Sequence, residues 1–282
     1  MDFLLKPWPS PLLLALSCFQ SLPPGFTTIP SSSDCRIFRS TLSQKRCGAC
    51  AAFAVSTFVS MHACLNERED FIPSPYRVFD CANGTCEKGI TFGRAMSVIQ
   101  YGVGDVRDSV AEFGRPCDLQ WEHRRQSAPR ITYSILNSQL EIKTALMFFG
   151  PLLGSMTHMI RRDPSTRAYH LLPNFTMVDL EQLHAVVVVG WDAADNWVVQ
   201  NSWGEHWGDE LGRGRIAPEA LVFVFDPSAH LLLSACLALF WMSSVALVLS
   251  TPTKQRPASA AILSAVFVWV LRVAWSSGRQ VA

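Results

Sequence analysis

The sequence predicts an α+β chain that ends in a membrane-spanning tail. Three stretches carry that reading. "AAFAVSTFVSMHACL", residues 51–65, is Ala-rich and repeats apolar side chains at 53, 54, 58, 61 and 65. That spacing predicts a helix of about four turns with Cys50 at its start. "LHAVVVVGWD", residues 183–192, holds a continuous β-branched run from Val186 to Val189 and reads as a buried strand. "DAADN" then turns the chain, and "WVVQNSWGEHWGD" supplies the partner strand of a hairpin. The third stretch, Ala229 to Ser250, is 22 residues without a formal charge apart from titratable His230, long enough to span a bilayer. A further helix is expected over 137–151, where Ser138 and Glu141 form a capping box and Gly150-Pro151 stop it.

The chain has 282 residues, 49% of them hydrophobic, enough for one large domain or two small lobes with a core. The net charge is +1 and dispersed, so no basic face suggests a nucleic-acid partner. There is no Gly-rich phosphate loop, internal repeat or metal constellation, and no cofactor is expected. Residues 1–21 read as a secretory signal, with Lys6 ahead of an apolar run from Leu12 to Phe19. A buried core segment is the alternative. The domain is then expected over 22–228 and a transmembrane segment over 229–250. A second apolar run, 258–275, is a candidate second span interrupted by Arg272. Lys254 and Arg256 in the connecting loop favour the cytosol for that loop, which agrees with a translocated N-terminal domain. The alternative at this end is a misread gene end.

Nine cysteines stand at 18, 35, 47, 50, 64, 81, 86, 117 and 236. Cys18 lies in the signal and Cys236 in the apolar tail, which leaves seven for the domain. Six can form three disulfides in an oxidising compartment, and the odd count leaves one thiol over. Cys47 and Cys50 form a CxxC pair, but no second CxxC completes a zinc ribbon. "TLSQKR" is a poor strand for a redox motif. Spacing alone does not choose among the connectivities.

Cys50 opens a helix, and a helix N-terminus favours a thiolate. A nearby imidazole can hold the thiol proton, and a side-chain amide can fix that imidazole's tautomer. The hairpin brings His184 and Asn201 near each other. Gln44 can donate its amide N–H to an oxyanion together with the Cys50 backbone N–H. Trp203 is placed to cover the His–Asn bond and exclude water.

These stretches resemble the papain-like cysteine peptidases, and within them the cathepsin B branch. The matching residues are "Q…CGAC…F" at 44–53, "DC…C..G" at 80–89, "HAVVVVGW" at 184–191 and "NSWG..WGD" at 201–209. The resemblance covers 22–228. It implies Cys50 as nucleophile, His184 as general acid/base, Asn201 as its orienter and Gln44 as oxyanion donor. It implies disulfides Cys47–Cys86 and Cys81–Cys117, and Cys35–Cys64 as an extra bridge of the cathepsin B branch, which leaves Cys50 unpaired. It also implies two lobes with an active-site cleft between them. The left lobe, 22–128, is helical, and the right lobe, 129–228, is β-barrel-like.

The chain departs from the family at several points. Ala51 stands where a large aromatic is usual, Leu183 where a glycine or asparagine is common, and Glu87-Lys88 where a glycine is expected. Gly89 is kept, so a substrate backbone can still approach as an added strand. "APEALVFVFDP" follows "GRGRI" directly and omits a stretch that helps line a side-chain pocket. Little room precedes residue 22 for an inhibitory propeptide. No cysteine-closed occluding loop is present, and His123 in "CDLQWEHRRQ" is read as a solvated loop residue, so an open cleft favours endopeptidase action. The implied partner is a peptide or protein substrate, in the secretory pathway, in a lysosomal or endosomal lumen or outside the cell, with a membrane anchor. Asn83 and Asn174 are glycosylation acceptors. The rival reading is a catalytically impaired, membrane-tethered peptidase-like binding protein.

Overall fold

Alanine decides how the central helix packs. In the computed structural model, which describes residues 22–100, 102–108, 110–117, 134–136, 138–173 and 183–226, helix α1 spans Cys50–Glu67. Ala51, Ala52 and Ala54 are buried, as are Phe53, Val55, Phe58 and Met61, so the helix is enclosed on almost every side. Small side chains allow that close approach. Leu65 departs from the expected core face and is 38% exposed. Arg68 ends the helix in the left-handed conformation, with its N–H on the Ala63 and Cys64 carbonyls.

Two shorter helices, α2 (Pro75–Cys81) and α3 (Phe92–Gln100), pack on α1. The three disulfides are Cys35–Cys64, Cys47–Cys86 and Cys81–Cys117, and Cys50 is free. The family pairing thus holds, and three bridges are those of a chain folded in an oxidising compartment.

The nine strands are β1 (Phe26–Thr27), β2 (Ser134–Leu136), β3 (Leu152–Thr157), β4 (Ile160–Arg162), β5 (Tyr169–Leu171), β6 (Leu183–Trp191), β7 (Trp197–Gln200), β8 (Arg213–Ile216) and β9 (Leu221–Asp226). They form one sheet in the order β2-β9-β3-β6-β7-β8-β5-β4, with β1 also pairing β6. All described pairs are antiparallel except β5 with β8. Among the described residues the path runs from β2 to β4, so the β-barrel-like lobe is seen here as a mixed sheet. The lobe boundary also shifts: β1 lies early in the chain, yet it joins the sheet of the second half. Gly190 makes that possible, since a Cβ there would stand 2.1 Å from the Phe26 carbonyl oxygen.

β6 explains its own sequence. Ala185, Val187 and Val189 face one core, shared with α1, Phe53 and Phe79. Val186, Val188 and Trp191 face a second core, shared with Trp197 and helix α4, Gln139–Phe149. A strand buried on both faces needs no alternation, so it reads as an unbroken apolar run. The turn before β7 is held by the Asp192 carboxylate, which accepts from the Ala194 and Asn196 N–H groups at 2.9 Å each. The expected capping box of α4 forms: the Ser138 Oγ accepts from Glu141 N–H at 3.2 Å, and Glu141 accepts from Ser138 N–H at 3.0 Å. Lys143 turns inward from α4, reaching Asp195 at 2.5 Å and the Trp191 ring at 5.4 Å.

The expected signal (1–21), both apolar runs (229–250 and 258–275), His123 and Asn174 lie outside the described residues. Among the described residues no helix is long and apolar enough to cross a membrane.

One buried carboxylate ties the helical half together. Asp105 accepts from Ile72 N–H at 3.1 Å, from Arg107 N–H at 2.8 Å, and from the guanidinium groups of Arg36 at 2.9 Å and Arg107 at 3.0 Å. Burial alone would raise its pKa; these donors outweigh it and lower the group from 3.8 to about 2. A depressed carboxylate stabilises the fold above its unfolded pKa and loses that contribution as pH falls through the folded value. Asp105→Asn is expected to cost about 2 kcal/mol at neutral pH, from the shift at 1.36 kcal/mol per unit. Thermal melts of both proteins across pH check this: the gap should hold down to about pH 4 and close as pH falls towards about 2.

Candidate active site

The residues before Cys50 form a braced turn. Gly48 N–H donates to the Cys86 carbonyl at 2.9 Å, beside the Cys47–Cys86 bridge. Cys50 is the first residue of α1, and Ala49 before it offers no side-chain cap. Three backbone N–H groups, those of Ala185, Ala51 and Cys50, favour its thiolate. Ala185 follows His184 on β6, so this contact joins the helix start to the strand that carries the imidazole. Burial nevertheless pushes the Cys50 thiol above its ordinary range.

His184 is the second residue of β6, opposite Met156 on β3. Asn201 directly follows β7. The His184 Nε2 and Asn201 Oδ1 atoms lie 2.7 Å apart, as the hairpin predicted. Oδ1 also accepts from Ser202 N–H at 2.7 Å, which identifies it as the amide oxygen. His184 must then donate from Nε2, and its Nδ1 is left as the basic nitrogen. Burial pulls His184 down to about 4; the Asn201 bond opposes that, and the nearby His158 reinforces it. Burial therefore favours the neutral thiol and the neutral imidazole separately. The backbone donors at the sulfur and the Asn201 amide at the imidazole oppose that effect without outweighing it.

Trp203 lies over the imidazole, with ring centroids 4.4 Å apart at 29°, and meets Trp207 edge-on at 5.8 Å. It covers the His–Asn pair as expected. Gln44 is buried. Its Nε2 donates to the Cys47 carbonyl at 2.9 Å, and its Oε1 accepts from Ser202 Oγ at 2.6 Å. An amide nitrogen has two protons, so one remains beyond the Cys47 bond. Gly89 has φ +66, and a Cβ there would stand 2.7 Å from the Gly48 carbonyl oxygen. Its lack of a side chain thus serves the turn before Cys50. Glu87 and Lys88 are exposed beside it, and Ala51 is buried in the core. Asn83 is exposed at the turn after α2, open to a glycan.

Ser202 was not among the expected site residues. It bonds both Asn201 and Gln44, and its carbonyl accepts from Gln44 N–H at 2.9 Å. Its neighbour Asn201 was legible in the sequence, but its partner Gln44 lies 158 positions away. His158, exposed beyond β3, was likewise missed.

A free thiol at a helix start, a strand imidazole held by an amide and a tryptophan cover define a nucleophilic-thiol site. The family profile described as papain family cysteine protease matches residues 29–218. The chain belongs to the papain family of cysteine proteases. It is 29% identical to mouse cathepsin O over 181 residues, covering 59% of this chain and 55% of that protein. It is 26% identical to human cathepsin O over 187 residues, covering 62% and 56%. The chain thus spans about half the length of these curated relatives. Among solved structures, procathepsin B S9 from Trypanosoma congolense matches with TM-score 0.53 at 22% identity, over 75% of this chain and 78% of that one. Xylellain, a cysteine protease from Xylella fastidiosa, matches with TM-score 0.51 at 20% identity, over 74% and 87%. Both show the shared fold.

Ser202→Ala leaves the buried Gln44 Oε1 without its donor, a loss of about 1–2 kcal/mol. The rate of Cys50 alkylation is expected to fall by about tenfold; an unchanged rate would show that Ser202 does not position the site. Cys50→Ala removes the thiol and leaves His184 buried against Asn201. An NMR titration of that variant should find His184 neutral through mildly acidic pH, with a pKa of about 4. A value at or above the usual imidazole range would contradict the burial argument.

Proposed function

We propose that the chain is a catalytically competent cysteine peptidase. The Cys50 Sγ attacks the substrate carbonyl carbon as its proton passes to His184 Nδ1. The tetrahedral oxyanion accepts from the Cys50 N–H and from the remaining Gln44 amide proton. Collapse breaks the C–N bond, and His184 returns the proton to the departing amine. Water, deprotonated by His184, then releases the acid and regenerates the thiol. Asn201 holds the imidazole throughout. Gly89 and Trp203 border the peptide's path.

The observation that carries this reading is the His184–Asn201 bond of 2.7 Å, together with Cys50 as the one free thiol among the described residues. The impaired binding protein draws no support, since Cys50, His184, Asn201 and Gln44 are all present and His184 is held by Asn201.

The finer reading is an endopeptidase of the cathepsin B branch. The Cys35–Cys64 bridge supports the branch; the curated matches to cathepsins O, L and H pull away from it. Peptide or protein substrates would be met in a lysosomal, endosomal or extracellular space, with the apolar run at 229–250 as membrane tether. The disulfides support the oxidising compartment.

An epoxide-type thiol probe tests the activity. The full chain should be labelled at mildly acidic and at neutral pH, and Cys50→Ala should not. A folded protein with three intact disulfides that resists the probe would overturn the peptidase reading. Internally quenched peptides against C-terminal dipeptide release then separate endopeptidase from exopeptidase action.

A further inference from the structure

Helix α4 buries one side, and its exposed side carries large apolar residues alongside its polar first turn. Leu140, Met147 and Phe148 repeat at i, i+7 and i+8, so they share one face, and they are 47%, 42% and 65% exposed. Leu65 of α1 is exposed at 38% and approaches Gly150, just past the end of α4. The last turn of α4, Leu146 to Phe149, carries no charged residue, and Lys143 before it is turned inward to Asp195. Large exposed apolar side chains gathered at one end of a domain mark a surface that another phase or molecule covers.

The register of the sheet says where that end lies. Gly150-Pro151 lead from α4 into β3, whose Leu153 pairs Phe225 of β9. β9 stops one residue later, at Asp226, where the chain leaves the described residues. Three residues further on begins the uncharged run Ala229 to Ser250. The described chain therefore ends on the strand paired with the start of β3, which follows α4 in sequence, three residues before its uncharged run. The site lies at the other end. β3 runs from Leu152 to Met156 before it meets His184, and α1 separates Leu65 from Cys50 by most of its length. At 1.5 Å per residue that helix spans about 27 Å.

We propose that the exposed end of α4, with Phe148 and Met147 at its centre and Leu65 beside it, is a lipid-docking face that seats in the bilayer interface and holds the catalytic cleft away from the membrane. This rests on the tether proposed above. Tethering supplies a high effective concentration of lipid, so a small apolar patch suffices for docking. The face would then restrict the domain to one orientation, with the cleft open to substrates in the lumen rather than to the bilayer surface.

The test uses the full chain inserted into phosphatidylcholine–phosphatidylserine vesicles. The photoreactive residue p-benzoylphenylalanine replaces Phe148, Met147 or, as the cleft-end control, Glu205, in three separate proteins. Exposed positions tolerate the ring, and epoxide labelling of Cys50 reports folding in each. Lipid adducts at 148 and 147, several-fold above 205, are expected. Vesicle flotation without lipid adducts at 148 and 147 overturns the docking face alone. So do adducts to a second protein chain, or equal lipid adducts at 205. A chain that does not float refutes the tether and the docking face together, while the labelling result for the peptidase stands separately.

Discussion

The two halves of the domain meet along a short hydrogen-bonded seam, and the chemistry depends on it. Gln44 N–H bonds the Ser202 carbonyl, Ser202 Oγ bonds the Gln44 side chain, and Ser43 bridges Trp203. On one side of the seam is the thiol at the start of α1; on the other is the imidazole–amide pair. Gln44 and Ser202 are buried, so water cannot readily substitute for a lost partner between them, and the geometry is held by several mutual bonds rather than by any single strong one.

Burial also sets the electrostatics. The same enclosure that protects the His184–Asn201 bond disfavours any isolated charge at Cys50 or His184. At the sulfur, burial opposes the Ala185, Ala51 and Cys50 N–H groups and outweighs them. Helix polarity alone suggested a thiol lowered by its position. The enclosed helix start shows why desolvation wins instead.

The rest of the fold serves to place these few atoms. α1 can reach the sheet because alanines line its contact surfaces, and β6 can carry the imidazole because both of its faces are buried. The disulfides hold the turn before Cys50 and the far end of α1, while Asp105 gathers Arg36, Arg107 and the Ile72 backbone into one charged knot. The apolar end of α4 is left over from this arrangement, which is why it points to a surface beyond the domain.

Much of this was legible in the residues themselves. The Ala-rich period after Cys50, the valine run of β6, the turn at 192–196 and the Ser138–Glu141 box are local signals, written by propensity and capping within a few residues. His184 and Asn201 were readable because a hairpin joins neighbours in sequence. The disulfide pairing came through family likeness, since spacing left it open. What only the tertiary structure decided involves distant partners. Ser202 meets Gln44, β1 joins β6 through Gly190, β5 pairs β8 in parallel, and Leu65 turns outward although its spacing pointed inward. Sequence patterns record what one segment prefers; which surfaces remain to be paired or left exposed is settled only when all segments compete for the same interior.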